Sequence, residues 1–443
     1  TAFRLFEAAG ADTDPKTLMV RIPESLAKET VRKAPSEFHL YGRDPSYRLH
    51  MGDRKVHFSI AGQAAKIHDL DGRIRSGTVK DAEDVARLAD ACEHVHHVSI
   101  GTTPLDVPDD MHPHHHLLAN WKNSVKTSDG YNYGGSTTRE IVEMAAILRG
   151  GEDDLRKKPT LLGFTNPVSP MQLSKELIEG ALVHAEYNQP MLYAPEALAG
   201  GTAPATLAGL IVQQNAEVLS GIMVSQLANP GTPVMYGTVS AVLDMRTGAA
   251  ALGGPEVGLF NVVAAQLARY YGLPSRGTGG NTDSKTVDAQ AGAETSSSLL
   301  MAAMAGMNFI YDAAGSLEGS LTMSLEKIVI DNELCGMVSR VLAGVDVTDE
   351  TLAVGEIVRT GPSASYLGTP FTVAKFRKEH FIPGLFDRRT RGSWEKAGAR
   401  DISAAARARA HEILTKHEPE PMDRAVLSEL ERFVKKTAKA HGH

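Results

Sequence analysis

The sequence predicts an α/β protein, a (β/α)8 TIM barrel with an N-terminal extension and a C-terminal helical tail. Three observations carry this. Short apolar runs of strand length alternate with longer helical runs from Val56 to Leu342, the pattern of a parallel sheet. Eight such units fit into about 290 residues, the size of a closed eight-stranded barrel with loop insertions. Most of the strands run into Gly, Pro, Thr or Asn, residues of turns that present side chains at one end of a sheet. A doubly wound sheet fits the same alternation and stands as the structural alternative. The boundaries expected are 1–55 for the extension, 56–342 for the barrel and 343–443 for a helical tail packed on it.

In the extension, Ser25–Lys33 reads as helical and Phe38–Gly42 as extended. Val56–Ile60 is the first strand, and Thr78 with Asp81 opens a helix running to Glu93. A strand at Val95–Ile100, a helix at Pro113–Trp121, a strand at Ser124–Thr127 and a helix at Thr137–Arg149 follow. Thr160–Phe164 and Met171–Tyr187 form the next unit, then Met191–Tyr193 with the long apolar helix Thr206–Leu227. Val234–Tyr236 precedes a helix at Glu256–Tyr271. Leu273-Pro274 ends a short apolar segment before a polar loop, after which Ala289–Met307 is helical, Asn308–Tyr311 a strand and Thr322–Leu342 a helix. In the tail, Asp401–His417 and Met422–His441 are helical, separated by Glu418-Pro-Glu-Pro.

Composition excludes several classes. With 42% hydrophobic residues among 443, there is ample material for a core. The net charge of −7, from 46 basic and 53 acidic groups with no basic run, speaks against nucleic acid as a partner. Two cysteines, Cys92 and Cys335, fit a reducing compartment rather than a disulfide scaffold. No apolar run approaches about 18 residues and no secretory leader is evident, so no membrane span is expected and the expected location is cytoplasmic.

The loop Ser275–Gly292 concentrates chemistry. Gly277, Gly279 and Gly280 precede Asn281, Thr282, Asp283, Ser284, Lys285, Asp288 and Gln290. It is not a dinucleotide fingerprint, because the third glycine falls on Thr282, and it holds no Gly-Lys-Ser/Thr phosphate loop. Its plain alternative is a solvated loop with an Asp helix cap.

Gly-Gly-Asn-Thr-Asp-Ser-Lys-Thr-Val-Asp-Ala-Gln-Ala-Gly, residues 279–292, resembles the signature of the trimethylamine methyltransferase (MttB-like) superfamily. Pro104-Leu-Asp-Val-Pro108, Leu243-Asp-Met-Arg246, Gly253-Gly-Pro-Glu256, Tyr311–Gly319 and His417-Glu-Pro-Glu-Pro421 agree, so the resemblance spans nearly the whole chain. It implies a barrel enzyme moving a methyl group from an amine to the cobalt of a corrinoid (cobalamin) carried by a separate partner protein, with no cofactor held by this chain. The trimethylamine enzymes of archaea carry pyrrolysine in this loop, whereas Gly280 and Asn281 stand here. That departure favours the non-pyrrolysine branch, similar to glycine betaine methyltransferase, whose substrates are small quaternary amines. Such a donor needs no general base, because in-line displacement expels a neutral tertiary amine. The enzyme's work is positioning and electrostatics.

Candidate residues follow from that chemistry, each with a plainer reading. Asn281, Asp283 and Lys285 are expected to face the ligand cavity as the catalytic loop residues. Tyr131, Tyr133, Phe164, Tyr236 and Tyr311 lie near strand ends and could form an aromatic cage for a cation, each face worth about 0.5–2 kcal/mol; the alternative is ordinary packing. Asp129, Asp283, Asp312 or Glu318 would balance the cation, and Arg276 offers a fork to a substrate carboxylate. Lys285 could instead serve a Schiff-base lyase, although Asp283 and Asp288 favour a paired lysine. The cluster His112-Pro-His-His-His116 invites a metal, but consecutive histidines at a helix start point in different directions, and contact with a partner or an anion suits them better. No metal ligand is assigned. A tertiary amine donor and a non-catalytic binder of quaternary amines remain alternatives, and a homo-oligomer is expected.

Overall fold

The computed structural model describes residues 2–443. At its centre lies a closed ring of eight parallel strands, each followed by a helix. The order is β1 (His57–Ile60), α1 (Val79–Ala91), β2 (His97–Val98), α2 (His112–Asn123), β3 (Thr127–Gly130), α3 (Gly134–Arg149), β4 (Leu161–Thr165) and α4 (Lys175–Glu186). It continues with β5 (Met191–Tyr193), α5 (Leu207–Ala228), β6 (Val234–Gly237), α6 (Pro255–Tyr271), β7 (Ser275–Thr278), α7 (Ala289–Met304), β8 (Phe309–Ala314) and α8 (Leu325–Leu342). β8 pairs with β1 through Phe309 opposite His57 and closes the ring. The doubly wound alternative is thereby excluded.

Side chains alternate across each strand. Met191, Tyr193, Val234, Tyr236 and Ile310 point outward into the layer beneath the helices. Leu162, Leu192, Met235 and Phe309 point inward. The lower end of the ring is plugged by an antiparallel hairpin, Phe38–Tyr41 with Arg48–Met51, whose Phe38, Leu40, Leu49 and Met51 join that inner cluster. Asn308, at the base of β8, fastens the chain after the hairpin by donating to the carbonyls of Gly52, Asp53 and Lys55. The extension is therefore a stopper for the barrel.

Loops at the upper, C-terminal end build small sheets of their own. Lys66–His68 and Ile74–Ser76 from the β1 loop pair with Thr322–Ser324 and Ser316–Leu317 from the β8 loop. Leu198–Ala199, Ala241–Leu243 and Ala250–Ala251 form a second collar above β5 and β6.

Four strands differ most from the sequence expectation: β2 covers only His97–Val98 of the expected Val95–Ile100, and β3, β7 and β8 are shifted or extended. β3 lies downstream of Ser124–Thr127, because Ser124 bonds Asp90 and the Lys126 ammonium donates to the carbonyls of Ala89, Cys92 and Val95 as an entry clamp. β7 occupies Ser275–Thr278, which the sequence reads as loop, and β8 runs three residues past Tyr311. β3 and β7 are polar because they line a polar interior, and the extra length of β8 carries Asp312 into the same interior.

α5 is long and apolar enough, by length and composition, to cross a membrane, contrary to the expectation that no such run exists. It lies between β5 and β6, and helices Ala2–Ala8 and Glu24–Val31 of the extension cover it from outside. Burial on two sides makes its surface apolar nearly all round.

In the tail, Ile402–Lys416 packs on α8 and α1, and Arg424–His441 packs on α3 and α2. Residues between about 345 and 400 lie largely exposed.

Candidate active site at the barrel mouth

Four strands deliver a connected polar group to the upper end of the barrel. Asp129 on β3 is buried and accepts from three donors: His97 Nε2 at 3.0 Å, Ser99 Oγ at 2.8 Å and the Tyr311 hydroxyl at 2.6 Å. Burial opposes its negative charge, but His97, Tyr311 and Ser99 together hold its carboxyl below the ordinary range. His97 is fixed on its other side by Thr127 at 2.8 Å, and its ring meets Phe309 edge-on. Tyr311 is thus clamped in place.

Arg276 of β7 stacks on the Tyr311 ring, with its guanidinium carbon 4.6 Å from the ring centre. One Nη donates to the carbonyl of Thr238 at 2.8 Å, while its buried Nε has no partner. Burial depresses the guanidinium pKa, and Asp312 is the nearest opposing influence. Asp312, at the irregular end of β8, adopts a left-handed φ of 59°. Its Oδ1 accepts the Gly62 N–H at 3.0 Å and its Oδ2 faces Asn281 Nδ2 at 3.5 Å. Burial raises the Asp312 carboxyl, with Arg276 opposing. Glu196, in the loop after β5, is raised in the same way by desolvation, then by the field of Asp312, against Arg276. Its side chain nonetheless remains exposed to solvent.

Two glycines permit this close assembly. A Cβ at Gly62 would lie 2.6 Å from the Tyr311 ring, and one at Gly280, whose φ is +113°, would lie 2.5 Å from the Asp312 carbonyl oxygen. Gly280 sets Asn281 inward, where its Oδ1 accepts from Ser316 at 2.9 Å and Ser320 at 2.8 Å.

Aromatic groups flank the acids. Tyr131 is buried, 5.6 Å from Tyr133 and 5.6 Å from His116 between ring centres. Burial pushes His116 down to about 4, so the ring behind Tyr131 is neutral at physiological pH. Phe164 joins the inner cluster with Tyr311. Across the top, Gln63 Nε2 donates to the Tyr133 hydroxyl, linking the β1 and β3 loops.

Of the sequence candidates, Asn281, Arg276, Tyr311, Asp312, Tyr131, Tyr133 and Phe164 meet at this mouth. Four do not. Tyr236 points outward, where its hydroxyl donates to Asn215 at 3.0 Å and its ring stacks on Tyr271. A shift of one residue along β6 would have been needed to turn it inward. Asp283 accepts the Gly253 N–H at 3.1 Å, bracing the loop against the start of α6. Lys285 is exposed, its ammonium donating to the Asp283 carbonyl at 2.6 Å. The Schiff-base reading loses its lysine here, because nothing desolvates that amine. Glu318 turns to Lys66, 3.9 Å away in the collar.

His97, Ser99 and Glu196 are site residues that the sequence reading missed. His97 and Ser99 stand two apart, at and just past the end of β2, the spacing of extended chain that puts both on one face. The His112–His116 cluster disperses: His112 meets the Val107 carbonyl, His114 meets Glu140, and His116 is buried beside Tyr131. Among the described residues, no three His, Cys, Asp or Glu side chains are grouped to hold a metal ion.

The fold and this mouth define a (β/α)8 enzyme whose interior carries a buried guanidinium among carboxylates and tyrosines. A family model described as trimethylamine methyltransferase (MTTB) matches residues 1–442. A glycine betaine methyltransferase from Desulfitobacterium hafniense is 36% identical over 443 residues, covering 100% of this chain and 92% of the relative. Trimethylamine methyltransferase MttB from Methanosarcina barkeri is 34% identical over 447 residues, covering 99% and 90%. Among solved structures, a hydroxylamine MtmB complex aligns with a TM-score of 0.53 at 10% identity, over 94% of this chain and 85% of that one, a likeness of fold. The chain belongs to the trimethylamine methyltransferase family and is a methyltransferase.

Proposed function

We propose that the enzyme moves a methyl group from a quaternary amine of the betaine type to the Co(I) of a corrinoid held by a partner protein in the cytoplasm. The observation that carries the reading is the charge balance of the mouth: Asp312, Glu196 and Asp129 surround a single guanidinium whose Nε is unpartnered. A trimethylammonium group would sit against the acidic and aromatic wall of Asp312, Tyr131, Tyr133 and Phe164. A substrate carboxylate would take the free Arg276 Nε. Tyr311 enters as the support for Arg276 rather than as a free cage face, since the guanidinium already covers it.

The corrinoid supplies the nucleophile that accepts the methyl group. This chain's residues bind the cation, exclude water from it and hold one methyl toward the rim, while the bonding pair of the broken C–N bond stays on nitrogen. No side chain has to give or take a proton. The rim suits a large, flat, apolar visitor: Leu105, Tyr133, Val168 and Met171, on the loops after β2, β3 and β4, are each more than 40% exposed.

A second reading rests on the raised carboxyl of Asp312 and on the family model and the Methanosarcina barkeri relative named for trimethylamine. A tertiary amine bound in its protonated form would pair with Asp312 equally well. Calorimetric titration of a trimethylammonium carboxylate and its dimethylamino product separates the two. The quaternary member is expected to bind at least tenfold more tightly, roughly 1.4 kcal/mol, and Tyr131→Ala with Tyr133→Ala is expected to erode that preference by about 0.5–2 kcal/mol per ring. Equal affinities in the unaltered enzyme would rule out the quaternary-amine reading.

A further inference from the structure

The long helix α5 contains one charged side chain, Glu217, and that side chain is buried. A buried carboxylate is costly unless donors reach its oxygens. Here the donors come from the rim of the barrel. Ser169 Oγ donates to Oε2 at 2.8 Å, and the Met171 N–H donates to Oε1 at 2.8 Å. Gln213 Nε2 donates to the same Oε1 at 2.9 Å and to the Thr202 carbonyl at 2.9 Å. One carboxylate therefore braces the loops after β4 and β5 together.

The part of the β4 loop that Glu217 holds is a short, stiff finger. Val168 and Gln172 exchange two backbone hydrogen bonds, each 2.8 Å, which close residues 168–172 into a tight turn. At its tip Met171 has a φ of 59°, a left-handed backbone that a residue with a Cβ rarely adopts. The N–H of this strained residue is the one that Glu217 accepts. Strain of this kind persists only where the surroundings over-determine it, and it concentrates at sites of function. Its effect here is to present apolar side chains to water: Met171 is 63% exposed and Val168 42%. Packing within the chain gives no reason for that display.

We infer that Glu217 is a positioning residue for methyl transfer, setting the 168–172 finger so that Met171 and Val168 meet the apolar face of the incoming corrinoid. The inference rests on the proposed approach of a corrinoid to the mouth. A polarisable thioether beside a branched aliphatic group suits a flat conjugated ring, and a finger already rigid loses little freedom when the ring arrives. Glu217 acts through the finger rather than on the reacting atoms. Three donors converge on its two oxygens, whereas a glutamine offers a single acceptor oxygen. That substitution would loosen the finger while keeping the space filled.

The test uses the full-length enzyme with free cob(I)alamin as the varied acceptor. The methyl donor is whichever member of the trimethylammonium and dimethylamino pair turns over, so the test survives failure of the quaternary-amine reading. Glu217→Gln is expected to raise KM for cob(I)alamin at least about fivefold, with kcat and the calorimetric Kd of the trimethylammonium ligand within about twofold of wild type. Met171→Gly suits the left-handed backbone and removes the apolar tip, so it should fold and raise the same KM. Because both changes act through one finger, the double variant should be no worse than Met171→Gly alone. Hydrogen exchange needs no turnover: millimolar hydroxocobalamin is expected to slow exchange across 168–172 in the unaltered enzyme. An unchanged KM in either folded variant, effects that multiply in the double variant, an equal loss of amine affinity, or a finger whose exchange ignores cobalamin would overturn the inference.

Discussion

Asp312→Asn is expected to weaken binding of a trimethylammonium ligand by about 100-fold, near 3 kcal/mol, the scale of a buried interaction with a charged group. The substitution is nearly isosteric. An Asn oxygen can still accept the Gly62 N–H that now reaches Asp312 Oδ1 at 3.0 Å, so folding should survive while the charge is lost. A neutral ligand of the same shape should lose far less affinity. The unaltered enzyme should lose affinity for the cation as pH falls, because burial raises the Asp312 carboxyl and protonation then begins above the ordinary carboxylate range. In Asp312→Asn that acid limb should flatten. Titration of both proteins between pH 5 and 8 checks this, and an unchanged affinity in the variant would remove Asp312 from the cation site.

Lys327→Met is expected to destabilise the fold by about 3–5 kcal/mol, since it leaves a buried carboxylate without its counter-charge. Lys327 and Asp331 are almost completely buried and pair at 2.6 Å on α8. The ammonium also donates to Thr295 Oγ1 at 2.9 Å and reaches the Gly280 carbonyl at 3.4 Å, while Asp331 accepts the Gly315 N–H at 2.8 Å. The pair therefore ties together the two turns that carry Asn281 and Asp312. Adding Asp331→Leu should restore most of the loss, because an apolar pair of similar volume leaves no stranded charge. Urea denaturation of the single and double variants measures this, and a single variant as stable as wild type would show that the pair contributes nothing net.

What the sequence made legible follows from where its signals lie. Helices and apolar strands were readable because their burial leaves a periodic pattern, and β5 was placed at Met191–Tyr193 to the residue. β3 and β7 were not, because Thr-Ser-Asp-Gly and Ser-Arg-Gly-Thr read as turn by composition. Their polar residues are strand residues aimed at the site, so the same chemistry that makes the mouth useful hides its strands. Arg276 and Asp312 were recognised as candidates but placed in loops, and their juxtaposition depends on a ring closure no linear spacing encodes. Tyr236 and Lys285 were chosen by residue type, yet facing is decided by pleat and by local bonding. The Tyr236 hydroxyl finds Asn215 behind the strand, and the Lys285 ammonium finds a carbonyl two residues away. Glu196 followed an unremarkable Ala-Pro pair, and only the fold brings it to Asp312.

The central claim is that a fixed positive charge on nitrogen is what the mouth selects for methyl transfer. The direct measurement is loss of the cob(I)alamin absorbance when the purified enzyme is given reduced cobalamin, free or on a corrinoid carrier, with a trimethylammonium carboxylate or its dimethylamino counterpart. The account predicts turnover with the first, at least tenfold less with the second, and a drop of about 100-fold in kcat/KM for Asp312→Asn, matching its loss of binding. Turnover of the tertiary amine at an equal or greater rate would contradict it.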